Sequence, residues 1–182
     1  MTLYDKIYEI AADNHGLVTT AEANEAGAAN KDLVRYVEDG RLTRIGRGVY
    51  RIKHHVPEPN DPYAEAVALV GPHAYLYGES VIAMHGLAPT NPTRILVGSD
   101  KRIRKHLPVG IKVVNVGRPE PCVSYDGIPS QSIPDAVRSC RRTMMRERLL
   151  QAVARARELG LITKREFNEL NAELEKNEQA AQ

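Results

Sequence analysis

Apolar positions in the first fifty residues follow first a helical and then an extended period. Leu3, Ile7, Ile10 and Ala11 recur at the i, i+3, i+4 spacing of an amphipathic helix over 3–13, which Asn14-His15-Gly16 stops. Leu17-Val18 has room for a brief strand or an extended connector. Thr19-Thr20-Ala21-Glu22 has the form of a capping box, and Gly27 is placed to end the helix that follows. A third helix runs from Asn30, read as its cap, through Leu33, Val34, Tyr36 and Val37 to Asp39, and stops at Gly40. Arg41–Ile45 and Val49–Ile52 then flank Gly46-Arg47-Gly48, whose glycines supply the positive φ of a tight hairpin, although Leu42 and Ile45 do not alternate strictly. Three short helices followed by a small hairpin is the order of a winged helix-turn-helix.

Three prolines between His54 and Pro62 mark a boundary, so the pattern predicts two domains, 1–56 and 57–182. In the second, helical signals at Tyr63–Val70 and Glu79–Leu87 alternate with strands at Ala74–Tyr77, Thr93–Val97, Ile111–Val116 and Cys122–Tyr125. Asp126-Gly127 reads as a hairpin turn. From Ile133 to Leu159 the pattern turns helical with a break near Thr143–Arg146. Thr163 and Glu166 cap a last helix, with a frayed tail expected after Lys176. The fold class is α+β, a winged helix-turn-helix followed by a mixed module that ends in helices.

Charge sharpens this picture, although the whole-chain balance of +2 conceals it. Residues 1–29 carry Lys6 against five acids, whereas 30–55 carry seven bases against Asp32, Glu38 and Asp39. Basic charge gathered on the third helix and hairpin is the footprint of a duplex-DNA binder. The second helix of such a pair enters the major groove. If Leu33, Tyr36 and Val37 face the core, Lys31, Asp32 and Arg35 fall on or near the exposed side, and the Asn30 side chain is placed to cap the helix or touch DNA. Arg35 is the candidate for a bidentate guanine contact. Arg41, Arg44, Arg47 and Arg51 line the hairpin, with Arg47 at its tip. Neutralising ~4–5 phosphates would give a log–log salt slope near −4.

Two further basic groups form a candidate secondary surface. Lys101, Arg102, Arg104 and Lys105 lie between two strands, and Arg141, Arg148 and Arg155 recur every seventh residue, on one face if the helix is unbroken.

Other chemistry is sparse. No phosphate-binding loop, nucleophile elbow or metal-spaced Cys/His cluster occurs, so no catalytic residue, metal or cofactor is expected. His54-His55 has no carboxylate partner evident in the sequence, and His85 reads as a core-edge residue. Cys122 and Cys140 stand apart as expected for thiols in a reducing cytoplasm, and no run approaches the ~20 apolar residues of a membrane helix. A cytoplasmic protein is expected.

Gly16-Leu-Val-Thr-Thr-Ala-Glu-Ala and Gly40-Arg-Leu-Thr-Arg-Ile-Gly-Arg-Gly-Val-Tyr-Arg resemble the winged helix of the AbiEi antitoxins of bacterial type IV toxin–antitoxin, or abortive-infection, systems. Tyr77-Gly-Glu-Ser-Val-Ile-Ala-Met-His-Gly-Leu and Asp126-Gly-Ile-Pro-Ser-Gln-Ser-Ile-Pro-Asp-Ala are similar to later segments of that family. The resemblance covers roughly residues 2–170. It implies a phage-defence repressor that binds inverted repeats in its own promoter. Its second part would be needed to counter a cognate nucleotidyltransferase toxin, directly or functionally. By position, the DNA-binding role falls on Lys31, Arg35, Arg41, Arg44, Arg47 and Arg51. The residues alone leave open a winged-helix regulator, or a DNA-targeted nuclease-like protein, outside any toxin–antitoxin operon.

Overall fold

The computed structural model describes residues 1–90, 92–118 and 120–179. Its first elements are α1 (Leu3–Ala12), β1 (Leu17–Thr19), α2 (Thr20–Glu25), α3 (Asn30–Glu38), β2 (Leu42–Gly46) and β3 (Val49–Ile52). Each helix begins where a side chain satisfies an otherwise unpaired amide. Thr2 and Asp5 form a capping box on α1, and Thr19 and Glu22 form the expected one on α2. Asn30 is not a cap: it is the first residue of α3. Ala29 precedes it, and the Asp32 carboxylate accepts from the Ala29 amide at 2.9 Å.

The short run at Leu17 is a strand. β1 and β2 both pair antiparallel with β3, in the order β1-β3-β2. The irregular spacing of Leu42 and Ile45 has a structural cause, because the ladder shifts register between Arg44 and Gly46. A bulge of this kind adds a residue to one strand and breaks the two-residue alternation. Of the two hairpin glycines only Gly48 has positive φ, at 74°. Gly46 is small for another reason, since a Cβ there would collide with the Leu69 side chain. The core beneath unites all these elements: Ile7, Ala11, Val18, Ala23, Leu33, Tyr36, Leu42, Tyr50 and Ile52 are buried together.

The chain then forms α4 (Asp61–Val70), β4 (Ala74–Leu76), α5 (Glu79–Met84), β5 (Ile95–Ser99), β6 (Ile111–Asn115), β7 (Val123–Tyr125) and β8 (Ile128–Ser130). It closes with α6 (Ile133–Ser139), α7 (Arg146–Glu158) and α8 (Lys164–Gln179). Two compact units result: Met1–Ala74 with Asp126–Ile128, and Tyr75–Tyr125 with Pro129–Gln182. This division and the expected limit at 56/57 differ by α4. That helix packs on the winged helix: Leu69 closes on Gly46, and Glu65 pairs with Arg51 at 3.0 Å.

The second unit is built on a five-stranded sheet of order β6-β5-β4-β8-β7, in which β5 pairs parallel with β6 and β4 with β8. Asp126 and Gly127, both at positive φ, turn the β7–β8 hairpin as expected. Leu76, Val81, Ile82, Val97, Ile133, Val137, Leu149, Val153 and Leu170 are buried. The helical stretch breaks between Ser139 and Arg146, so Arg141 lies outside both helices and does not share a face with Arg148 and Arg155. Helix persists past Lys176 to Gln179, and 180–182 lie outside the described residues.

Candidate nucleic-acid interface

The α2–α3 pair and the β2–β3 hairpin fix the proposed contact residues. Gly27, at φ 97°, makes the turn between the two helices. The burial of Leu33 and Tyr36 sets the rotation of α3, leaving Asn30, Lys31, Val34 and Arg35 outward. Arg35 is aimed twice: Asp32 holds its guanidinium at 3.2 Å, and its Cζ stands 5.2 Å from the centre of the Tyr36 ring. Arg41 lies 5.0 Å from the Tyr4 ring centre, a cation–π contact that stiffens the start of β2. Arg44 is exposed, with Nε 3.4 Å from the Gly46 carbonyl. Arg47 is exposed in the hairpin turn. Lys31 and Arg47 carry no ion pair among the described residues.

Arg51 is placed differently. Its side chain is only 22% exposed, and Nη1 meets Glu65 Oε2 at 3.0 Å. On β3 it lies opposite Thr43 and Leu17, held toward α4. The sequence contained no signal for this, because Glu65 sits beyond the proline-rich stretch. Val34 was not singled out either, yet it is 51% exposed in the middle of α3.

The secondary basic residues lie on separate elements. Lys101, Arg102 and Arg104 are exposed in the β5–β6 loop. Arg141 is half-buried and paired with Glu173, which also binds Arg138. Arg155 pairs with Glu158 at 3.0 Å, and Arg148 is exposed on α7.

His55 does have a carboxylate partner, contrary to the expectation from sequence. Its Nε2 lies 2.7 Å from Asp61 Oδ2, in a cluster with His15 and Glu58. Burial alone would raise the Asp61 pKa. The Glu58 amide and His55 nevertheless hold its carboxyl below the ordinary carboxylate value. Among the described residues, His15, Glu58 and Asp61 form the group whose ligand atoms converge closely enough to hold an ion.

A capped helix pair with an arginine-bearing hairpin, set on a three-stranded sheet, defines the class: a winged helix-turn-helix regulator. Residues 5–53 match the family model described as transcriptional regulator, AbiEi antitoxin. No curated protein matches the chain. Among solved structures, the RV2827C protein from Mycobacterium tuberculosis is 16% identical over 94% of this chain and 81% of its own, with a TM-score of 0.35. That likeness is too loose to define the fold. No described helix is long and apolar enough to cross a membrane.

Proposed function

We propose that this chain is the antitoxin and autorepressor of a type IV toxin–antitoxin operon. Its winged helix would bind inverted repeats in its own promoter, and the remainder would be needed to antagonise a nucleotidyltransferase toxin. The carrying observation is the outward set Lys31, Arg35, Arg41, Arg44 and Arg47 on α3 and the hairpin, all exposed and all on the elements that reach DNA in this class. Asn30 stands at the exposed start of α3, where a side chain reaches base edges or a phosphate. Arg51 is left out of the set because Glu65 holds it. Of the secondary group, Arg102, Arg104 and Arg148 remain available to an acidic partner, whereas Lys101 pairs with Asp100 at 3.6 Å. No catalytic role is assigned to any residue.

Fluorescence anisotropy with duplex DNA from upstream of the gene tests the first half. Saturable binding, lost on shuffling the inverted repeats, is expected. Equal affinity for shuffled DNA, or an unchanged affinity in an Arg44→Ala/Arg47→Ala variant, would overturn it. The second half is tested by co-expression with the neighbouring reading frame: residues 1–74 alone should repress but not rescue growth.

A further inference from the structure

The cluster at His15 sets one buried imidazole against two carboxylates. His15 is 6% exposed and adopts φ 52°, a left-handed conformation uncommon outside glycine. Its Nε2 lies 2.8 Å from the Asp126 carbonyl, an acceptor only, so the ring proton sits on Nε2. In the neutral imidazole Nδ1 is then a bare lone pair. It faces Glu58 Oε2 and Asp61 Oδ1, both at 3.3 Å, and ionised carboxylates have no proton to offer. Three electron-pair donors therefore converge on one point.

We propose that His15 Nδ1, Asp61 Oδ1 and Glu58 Oε2 bind a divalent first-row transition ion of the Zn²⁺ type. Two ligands each about 2.1 Å from a tetrahedral ion lie about 3.4 Å apart, close to the 3.3 Å separations observed. One imidazole and two carboxylates neutralise a doubly charged ion and suit its borderline character. The groups behind the ligands are those a metal site requires. The Asp126 carbonyl fixes the His15 tautomer, and Asp61 Oδ2 is occupied by His55 at 2.7 Å and the Glu58 amide at 2.9 Å, which leaves Oδ1 free to ligate. The Asp126 carboxylate is itself held by Asn60 at 3.0 Å. Gly16 is fitted to this arrangement, since a Cβ there would fall 2.5 Å from the His55 ring. Glu58, with its side chain 56% exposed, gives the ion a path to solvent and leaves a fourth position for water.

An ion at this point would join the turn after α1 to the first turn of α4, fastening that helix to the winged helix it braces. The full chain, stripped with chelator and titrated with Zn²⁺ at pH 7.5 by calorimetry, is expected to saturate at one equivalent, and its thermal midpoint should rise. Co²⁺ in its place should give the visible absorption of a low-coordinate N,O site. Glu58→Gln keeps the backbone bond to Asp61 and alters only a half-exposed side chain, so it should fold and lose the isotherm. His55→Ala should weaken binding by about ten- to a hundredfold through Asp61. Absence of saturable binding overturns the proposal and leaves the cluster as a hydrogen-bonded brace between the turn after α1 and α4. Equal binding by wild type and Glu58→Gln overturns it too, pointing to exposed histidines such as His54.

Discussion

The salt dependence of DNA binding separates the residues that reach phosphate from those that only look as if they do. Counting every hairpin arginine and Lys31 gives five cations, but the structure removes Arg51, which Glu65 neutralises at 3.0 Å. Arg35 is tied to Asp32 and is the proposed base reader, so it is not counted among the phosphate contacts. That leaves Lys31, Arg41, Arg44 and Arg47. Four phosphate contacts predict a slope of log affinity against log salt of about −3.6 per bound copy, a loss of roughly 150-fold between ~50 and ~200 mM salt. Arg44→Ala/Arg47→Ala should halve the slope to about −1.8 and shrink the loss to roughly 12-fold over the same range. Arg51→Ala should leave the slope unchanged and lower the thermal midpoint, because it frees Glu65 in a half-buried position. Anisotropy titrations at four salt concentrations measure all three. The reasoning is refuted if Arg51→Ala shifts the slope as much as one of the hairpin-tip arginines does, or if the double variant keeps the wild-type slope.

Two further outcomes follow from burial. Leu33→Ala, at a fully buried site on α3, should cost about 2–5 kcal/mol by leaving a cavity under that helix. Urea unfolding followed by circular dichroism measures it, and a cost under ~1 kcal/mol would mean that α3 is not seated on this core. His85 packs edge-on against Tyr125 with ring centres 4.6 Å apart, and its buried Nε2 has no hydrogen-bond partner among the described residues. Burial holds its pKa below the ordinary 6.5, so the unfolded chain binds the proton more readily. Its contribution to stability is complete above about pH 6.5 and is lost as pH falls toward the lower folded value. Thermal midpoints at pH 7.5 and 5.5 should therefore differ less in His85→Leu than in wild type, and an equal difference in both would show that another group titrates.

Local signals in the sequence were reliable guides to local structure. The Thr19–Glu22 capping box, the stop at Gly27, the Asp126-Gly127 turn and the Thr163–Glu166 cap each depend on residues within four positions, and each forms. The outward face of α3 was legible for the same reason, since burial of Leu33 and Tyr36 determines where Lys31 and Arg35 point. What was hidden depends on distant partners. Nothing near Arg51 announces Glu65, and nothing near His15 announces Asp61, which is 46 residues away. The arginine heptad holds only as far as the helix is continuous, so Arg148 and Arg155 share α7 and Arg141 does not. Residues 140–145 interrupt the helical stretch, and Glu173 draws Arg141 aside.

Those distant partners share one address. Asp61, Glu65 and Leu69 stand four residues apart on α4, so they lie along one stripe of that helix. They meet, in order, the His15–His55 cluster, Arg51 on β3 and Gly46 on β2. Each contact would be lost if the chain were cut at 56. The hairpin that carries Arg44 and Arg47 is short, and a two-stranded hairpin by itself is only marginally stable in water. Pairing with β1 helps on one edge, and the α4 stripe supports β2 and β3 from the side where Leu69 and Glu65 lie. The presentation of the hairpin arginines therefore depends on α4. A fragment ending at residue 56 should hold its arginines less firmly than one ending at residue 74, although the two carry the same candidate DNA-contacting residues.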